Sequence, residues 1–185
     1  MSKRAGLVVI IAAAILWGLS EIFLGDVFYT FKIPMRAASM TAIGLMLLTI
    51  GRFAYDRPGS STAAALLAGG MRCLVPRLFI CHFSAIALLG FVFDISWTLL
   101  GAGERRSLRK AWLSASIATF FGFAAFGLLG AYVFGFGRWV AAGPVGILAW
   151  TMKSGAFASV ILLGLVPVAG KIAAYLAGKQ AAPQT

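Results

Sequence analysis

Glu21 and Asp94 fall inside long apolar stretches of the chain. An ionisable group placed in a bilayer costs a few kcal/mol or more, so each reads first as a functional residue. Glu21 follows Trp17 by one helical turn, which puts both on one face near the outer end of the first apolar run. Two readings of Glu21 stand side by side. It contacts a ligand or an outer arginine inside a cavity, or it reaches the headgroups beside Asp26. Asp94 lies deeper, with Trp97 nearby on the same side, and an isolated ionised carboxylate there is prohibitively costly. The favoured expectation is an intramembrane charge paired with an inner-side arginine such as Arg52; a proton or cation relay is the alternative. His82, the one histidine, precedes Asp94 by twelve residues. On a helix that separates them by about 120° and roughly 18 Å along the axis, too far for a catalytic pair.

Other reaction chemistry has no sequence footing. There is no HExxH, no GxSxG and no Gly-rich loop between a strand and a helix. Cys73 and Cys81, beside Arg72, Arg77 and His82, do not match a structural zinc site. They read as buried packing residues or, facing an oxidising compartment, as a pair that could oxidise. The expectation is a protein that is not an enzyme and carries no metal or cofactor.

The elements that must position these groups follow from composition. Of 185 residues, 61% are apolar and 11% charged, against roughly 25% charged in an ordinary globular domain. The mean hydropathy is +0.96. Disorder, a secreted disulfide scaffold and a typical cytosolic enzyme are excluded. The expected fold class is all-α, a polytopic integral membrane protein. Sixteen Lys and Arg against five acids give +11. In a soluble protein that would suggest nucleic acid; here the cations sit between apolar runs and report orientation in a membrane instead.

With about 20 apolar residues per crossing, one transmembrane domain over 1–185 accommodates about six spans. They are placed near 5–24, 36–53, 62–71, 78–102, 111–134 and 151–171, the third being short and tilted or half-inserted. Gly25–Pro34 and Gly135–Pro144 read as loops, and Asp56-Arg57-Pro58-Gly59 as a breaker. Lys3 and Arg4 precede the first span, and the bulky residues after Leu16 offer no cleavage site. Both termini are therefore expected in the cytoplasm. That leaves Lys32, Arg36, Arg72, Arg77, Arg138 and Lys153 at or just below the outer surface.

A chain of this size with six spans, two cytoplasmic termini and no soluble domain resembles the substrate-binding S component of energy-coupling factor (ECF) vitamin transporters. Thr151-Met152-Lys153-Ser154-Gly155-Ala156, followed by an apolar run to Pro167 and Lys171, is similar to the last helix of several such proteins. The resemblance implies a bacterial inner-membrane component that binds a small molecule and works with a coupling membrane subunit and ATPases. The implied substrate-binding residues are Glu21, Tyr29, Arg36, Arg72, Arg77, Arg138, Trp150 and Lys153. Their predominantly positive charge would favour an anionic ligand. The family's Ala-xxx-Ala docking signature on the first helix is reduced here to Ala14 and Gly18.

Two other classes compete. One is a non-catalytic accessory subunit of a larger membrane complex, motivated by Ser114, Ala118 and Gly122, which recur every fourth residue on the fifth span. A subunit would present that stripe to a partner; a transport component would bury it. The other is a small channel or ion carrier using Asp94.

Overall fold

The computed structural model describes residues 2–71, 74, 79–103 and 107–179. Six helices make up the fold: α1 (Lys3–Thr30), α2 (Arg36–Ala54), α3 (Ser60–Met71), α4 (Phe79–Leu100), α5 (Leu108–Tyr132) and α6 (Gly137–Lys179). No strand occurs among the described residues. Five of the six are long and apolar enough to cross a membrane. The chain is an all-α membrane protein.

Helix ends follow local chemistry. The Ser2 hydroxyl accepts a hydrogen bond from the Ala5 amide and opens α1, and Ser107 does the same for Lys110 at the start of α5. α1 continues to Thr30, past the position where Gly25 suggests a loop, and the connection to α2 shrinks to 31–35. Between α2 and α3, Gly59 turns the chain with φ +85°. α6 begins at Gly137 rather than near Thr151 because the expected loop is a helical break only one residue long. Gly143 takes φ 62°, ψ −178°, and Pro144 then starts the second helical segment, a position where its missing N–H costs nothing.

α3 is the exception in length. Its 12 residues span about 18 Å at 1.5 Å per residue, well short of a hydrocarbon core of about 30 Å. It packs on the lower half of α1, and its last residue, Met71, lies against Gly18 at mid-helix. α4 then returns alongside it, with Gly69 facing Phe83 and Gly90 facing Ala65. α3 and α4 thus form a hairpin of unequal arms.

The helices close a ring in the order α1–α3–α4–α5–α6–α2, and α2 also touches α3, α4 and α5. α2 is accordingly the most buried. Trp17, fully buried, lies across Gly44 of α2, a contact that leaves no room for a Cβ. Around it a continuous core joins Ile10, Leu45, Leu48, Phe93, Trp97, Leu162 and Val166. A smaller cluster, Ala131, Trp139 and Ile147, sits between the far ends of α5 and α6.

One end of the bundle gathers the start of α1, the end of α2, the start of α5 and the last third of α6. Gly6 abuts the Ala54 carbonyl, and Gly170 abuts Leu108 and approaches Phe53. The beginning of α1 and the last part of α6 therefore share one end of the molecule. Lys3, Arg4, Arg57, Arg109, Lys110 and Lys171 are exposed at this end.

Candidate functional site

The most elaborate polar arrangement surrounds Arg52. The last turn of α2 carries this side chain into the bundle, where only 1% of it remains exposed. Its Nη1 donates to Asp94 Oδ1 at 2.9 Å and to the Arg57 carbonyl; its Nη2 pairs with Asp56 Oδ1 at 3.0 Å. The opposite oxygen of Asp94 accepts from the Thr62 hydroxyl at 3.0 Å and from the Thr62 amide at 3.3 Å. Trp97 Nε1 donates to Asp56 at 3.0 Å, and the Trp97 ring lies 5.6 Å from the guanidinium carbon. One cation thus holds two carboxylates from different segments, and each carboxylate has a further donor. Burying a charge this way is tolerable because its partners replace most of the lost hydration.

This network ties α2, the α2–α3 connection, the first turn of α3 and the last turns of α4. The Arg52–Asp94 pair was legible in the sequence; Thr62, Trp97 and Asp56 were not assigned to it. Trp97 and Thr98, whose hydroxyl accepts from Arg52 Nη2 at 3.4 Å, stand three and four residues after Asp94, the spacing that shares a helix face, so part of the network is open to recognition.

The described residues among those implied for binding fall into separate local contacts. Trp17 Nε1 donates to Glu21 Oε1 at 3.3 Å, as their one-turn spacing predicts. Arg36, at the start of α2, stacks its guanidinium 4.8 Å from the Tyr29 ring centre, closing the α1–α2 connection. Arg138 lies 5.4 Å from the Trp139 ring centre. Trp139 in turn meets Trp150 edge to face at 4.5 Å, and Trp150 meets Phe123 at 5.0 Å. Phe123 and Phe126, which complete this cluster, were not singled out, though their three-residue spacing on α5 allows it. Arg72 and Arg77, and Cys73 with them, lie outside the described residues.

Lys153 points away from the interior of the bundle. The inward face of α6 is formed by Thr151, Ser154, Ala158, Leu162 and Val166. Lys153 is exposed on the opposite arc with Met152, Phe157 and Val160, and lines no internal site. The small-residue stripe also has a definite place. Ser114 and Ala118 are fully buried, and a Cβ on Gly122 would meet Leu89 of α4 at 3.0 Å. The stripe therefore serves packing within the bundle.

An apolar groove runs between α1 and α3, lined by Leu7, Ile10, Ile11, Ala14, Tyr55, Ser60, Ala63, Ala64 and Leu67, with a volume of about 240 Å³. Drug-sized ligands occupy roughly 300–1,000 Å³ with a few converging polar groups; this groove has neither the size nor the polarity. Among the described residues, no group of three or more His, Cys, Asp or Glu side chains is placed to hold a metal ion.

Comparison with protein-family models, curated proteins and solved structures finds no match to this chain.

Proposed function

We propose that the chain is the membrane-embedded binding component of a small-molecule uptake system, similar in role to an ECF S component and residing in a bacterial inner membrane. The ligand would be anionic and recognised at the end of the bundle opposite Arg52. The observation that carries this reading is the pairing of exposed cations with aromatic faces at that end: Arg36 on Tyr29 and Arg138 on Trp139. A guanidinium stacked on a ring keeps its outer N–H groups available for a carboxylate or phosphate. The two ends also differ in kind. At the Arg52 end the buried charge is locked by its own carboxylates, whereas the Arg36 and Arg138 groups are exposed. Burial of Ser114, Ala118 and Gly122 within the bundle favours this reading over the accessory-subunit one.

Positive-inside orientation would put the basic Arg52 end in the cytoplasm and the Arg36–Arg138 end outside. Coupling subunits and ATPases would supply the energy. The test is mass spectrometry of gently extracted protein for a retained small molecule, together with uptake by Arg36→Ala and Arg138→Ala variants. The reading expects an anionic molecule that both variants lose along with uptake. Protein without any such molecule, whose variants take up as much as wild type, would refute it.

A further inference from the structure

Lys153 sits at membrane depth on a face of the molecule that no described part of the chain covers. Along α6 it is 14 residues from Trp139, across the break at Gly143, and 18 residues from Lys171, the latter about 27 Å of helix. A second landmark agrees. Gly155, two residues on, crosses α5 at Phe120, the middle of that 25-residue helix, where a Cβ would stand 2.5 Å from the Phe120 ring. A midplane position lies roughly 15 Å from either edge of the hydrocarbon core. The four-carbon lysine stem reaches less than half that distance, so snorkelling alone leaves the ammonium short of water. An ammonium in hydrocarbon demands an anion.

Of the chain's five acids, four lie among the described residues, and none of those four is placed to serve. Asp56 and Asp94 are held by Arg52 near the basic end. Glu21 and Asp26 belong to α1, which α2 separates from α6 in the ring. The surface around Lys153 suits a close neighbour. Ala149 and Ala156 flank it at the four- and three-residue spacings that share a helix face, and Gly146 and Gly164, seven and eleven residues away, continue the same arc. Small side chains there let another helix approach until a carboxylate meets the amine.

We infer that the outward arc of α6 around Lys153 docks a transmembrane helix of another protein that carries an Asp or Glu at mid-bilayer depth. The contact is a charge pair set among small residues, and it is independent of whether the chain carries a ligand. Lys153 is the recognition residue, and Ala149 and Ala156 set the distance of approach.

The test uses the full chain in the membranes of its own cell. A membrane-permeant carbodiimide joins an amine to a carboxylate in direct contact, and peptide mass spectrometry then identifies both ends of the link. The expected product joins Lys153 to an acidic residue within an apolar segment of one partner. On native gels after mild extraction, Lys153→Leu should reduce the complex about tenfold, the equivalent of 1.4 kcal/mol, whereas Lys153→Arg keeps it within about threefold. Because the side chain is exposed, the isolated Lys153→Leu protein should unfold at the wild-type detergent concentration. Ala156→Phe, which blocks approach while leaving the charge, should also lose the complex. A complex indifferent to Lys153→Leu, a link between two copies of this chain, or retention of phospholipids with no protein partner would each overturn the inference.

Discussion

Removing the Asp94 carboxylate should cost far more than its place near the end of a helix suggests. In Asp94→Ala, Arg52 keeps Asp56 and the Arg57 carbonyl but loses its 2.9 Å partner, and the Thr62 amide and hydroxyl lose their acceptor. Breaking a buried ion pair from one side typically costs about 3–5 kcal/mol, and that range is the expectation here. Asp94→Asn keeps one carbonyl oxygen for Arg52 but puts an NH2 group where the other oxygen accepts from Thr62, so an intermediate loss of about 2–3 kcal/mol is expected. Arg52→Met leaves Asp94 with Thr62 alone and should fall in the larger range. The double variant Arg52→Met, Asp94→Leu is the informative one. Replacing a buried pair by apolar side chains of similar volume is often near neutral, and the exposed Asp56 can hydrate, so the double should lose less than either severe single variant. Equilibrium unfolding in mixed micelles of increasing sodium dodecyl sulfate measures all four. Additive losses, or single losses below about 1 kcal/mol, would refute the claim that this network holds α2, α3 and α4 together.

Three further outcomes follow from particular contacts. Gly44→Ala drives a methyl into the fully buried Trp17 indole and should cost about 1–3 kcal/mol in the same assay, whereas Gly70→Ala, with nothing within 4 Å, should be neutral within about 0.5 kcal/mol. Gly143→Ala forces a side chain into φ 62°, ψ −178°, a region open essentially to glycine alone, so a loss of about 1–3 kcal/mol is expected, with altered proteolysis near residue 143 as a second readout. Trp97→Phe keeps the ring contacts with Phe53 and Phe93 but removes the indole donor to Asp56; about 1.5–3 kcal/mol should be lost, the range for a hydrogen bond to a charged group.

What the sequence reveals and what it conceals have a common physical origin. Long apolar runs fix the membrane class, since only segments that satisfy their own backbone can cross a bilayer. A carboxylate at depth demands a counter-ion, which is why Arg52 could be matched to Asp94 in advance. The direction of Lys153 could not be read the same way. Membrane helices are apolar all round, so no amphipathic period distinguishes the face that packs from the face that meets lipid. The start of α6 was obscured for a related reason. Gly143 and Pro144 would end a helix in water, but here α5 packs along both segments and the helix resumes after one residue. The buried stripe Ser114–Ala118–Gly122 shows the limit most plainly. Small residues mark a close approach without saying whether the neighbour is α4 or another protein.

Ser2, Arg57 and the last part of α6 lie at one end of the bundle and Lys32 and Arg138 at the other, so a bilayer around the helices would separate them. The direct measurement is labelling of single cysteines by a membrane-impermeant maleimide in sealed vesicles, in a background with Cys73 and Cys81 replaced by Ser. Ser2→Cys and Arg57→Cys should react from one side only, and Lys32→Cys and Arg138→Cys only from the opposite side. Labelling of Ser2→Cys and Arg138→Cys from the same side would contradict the arrangement and, with it, the site proposed between Arg36 and Arg138.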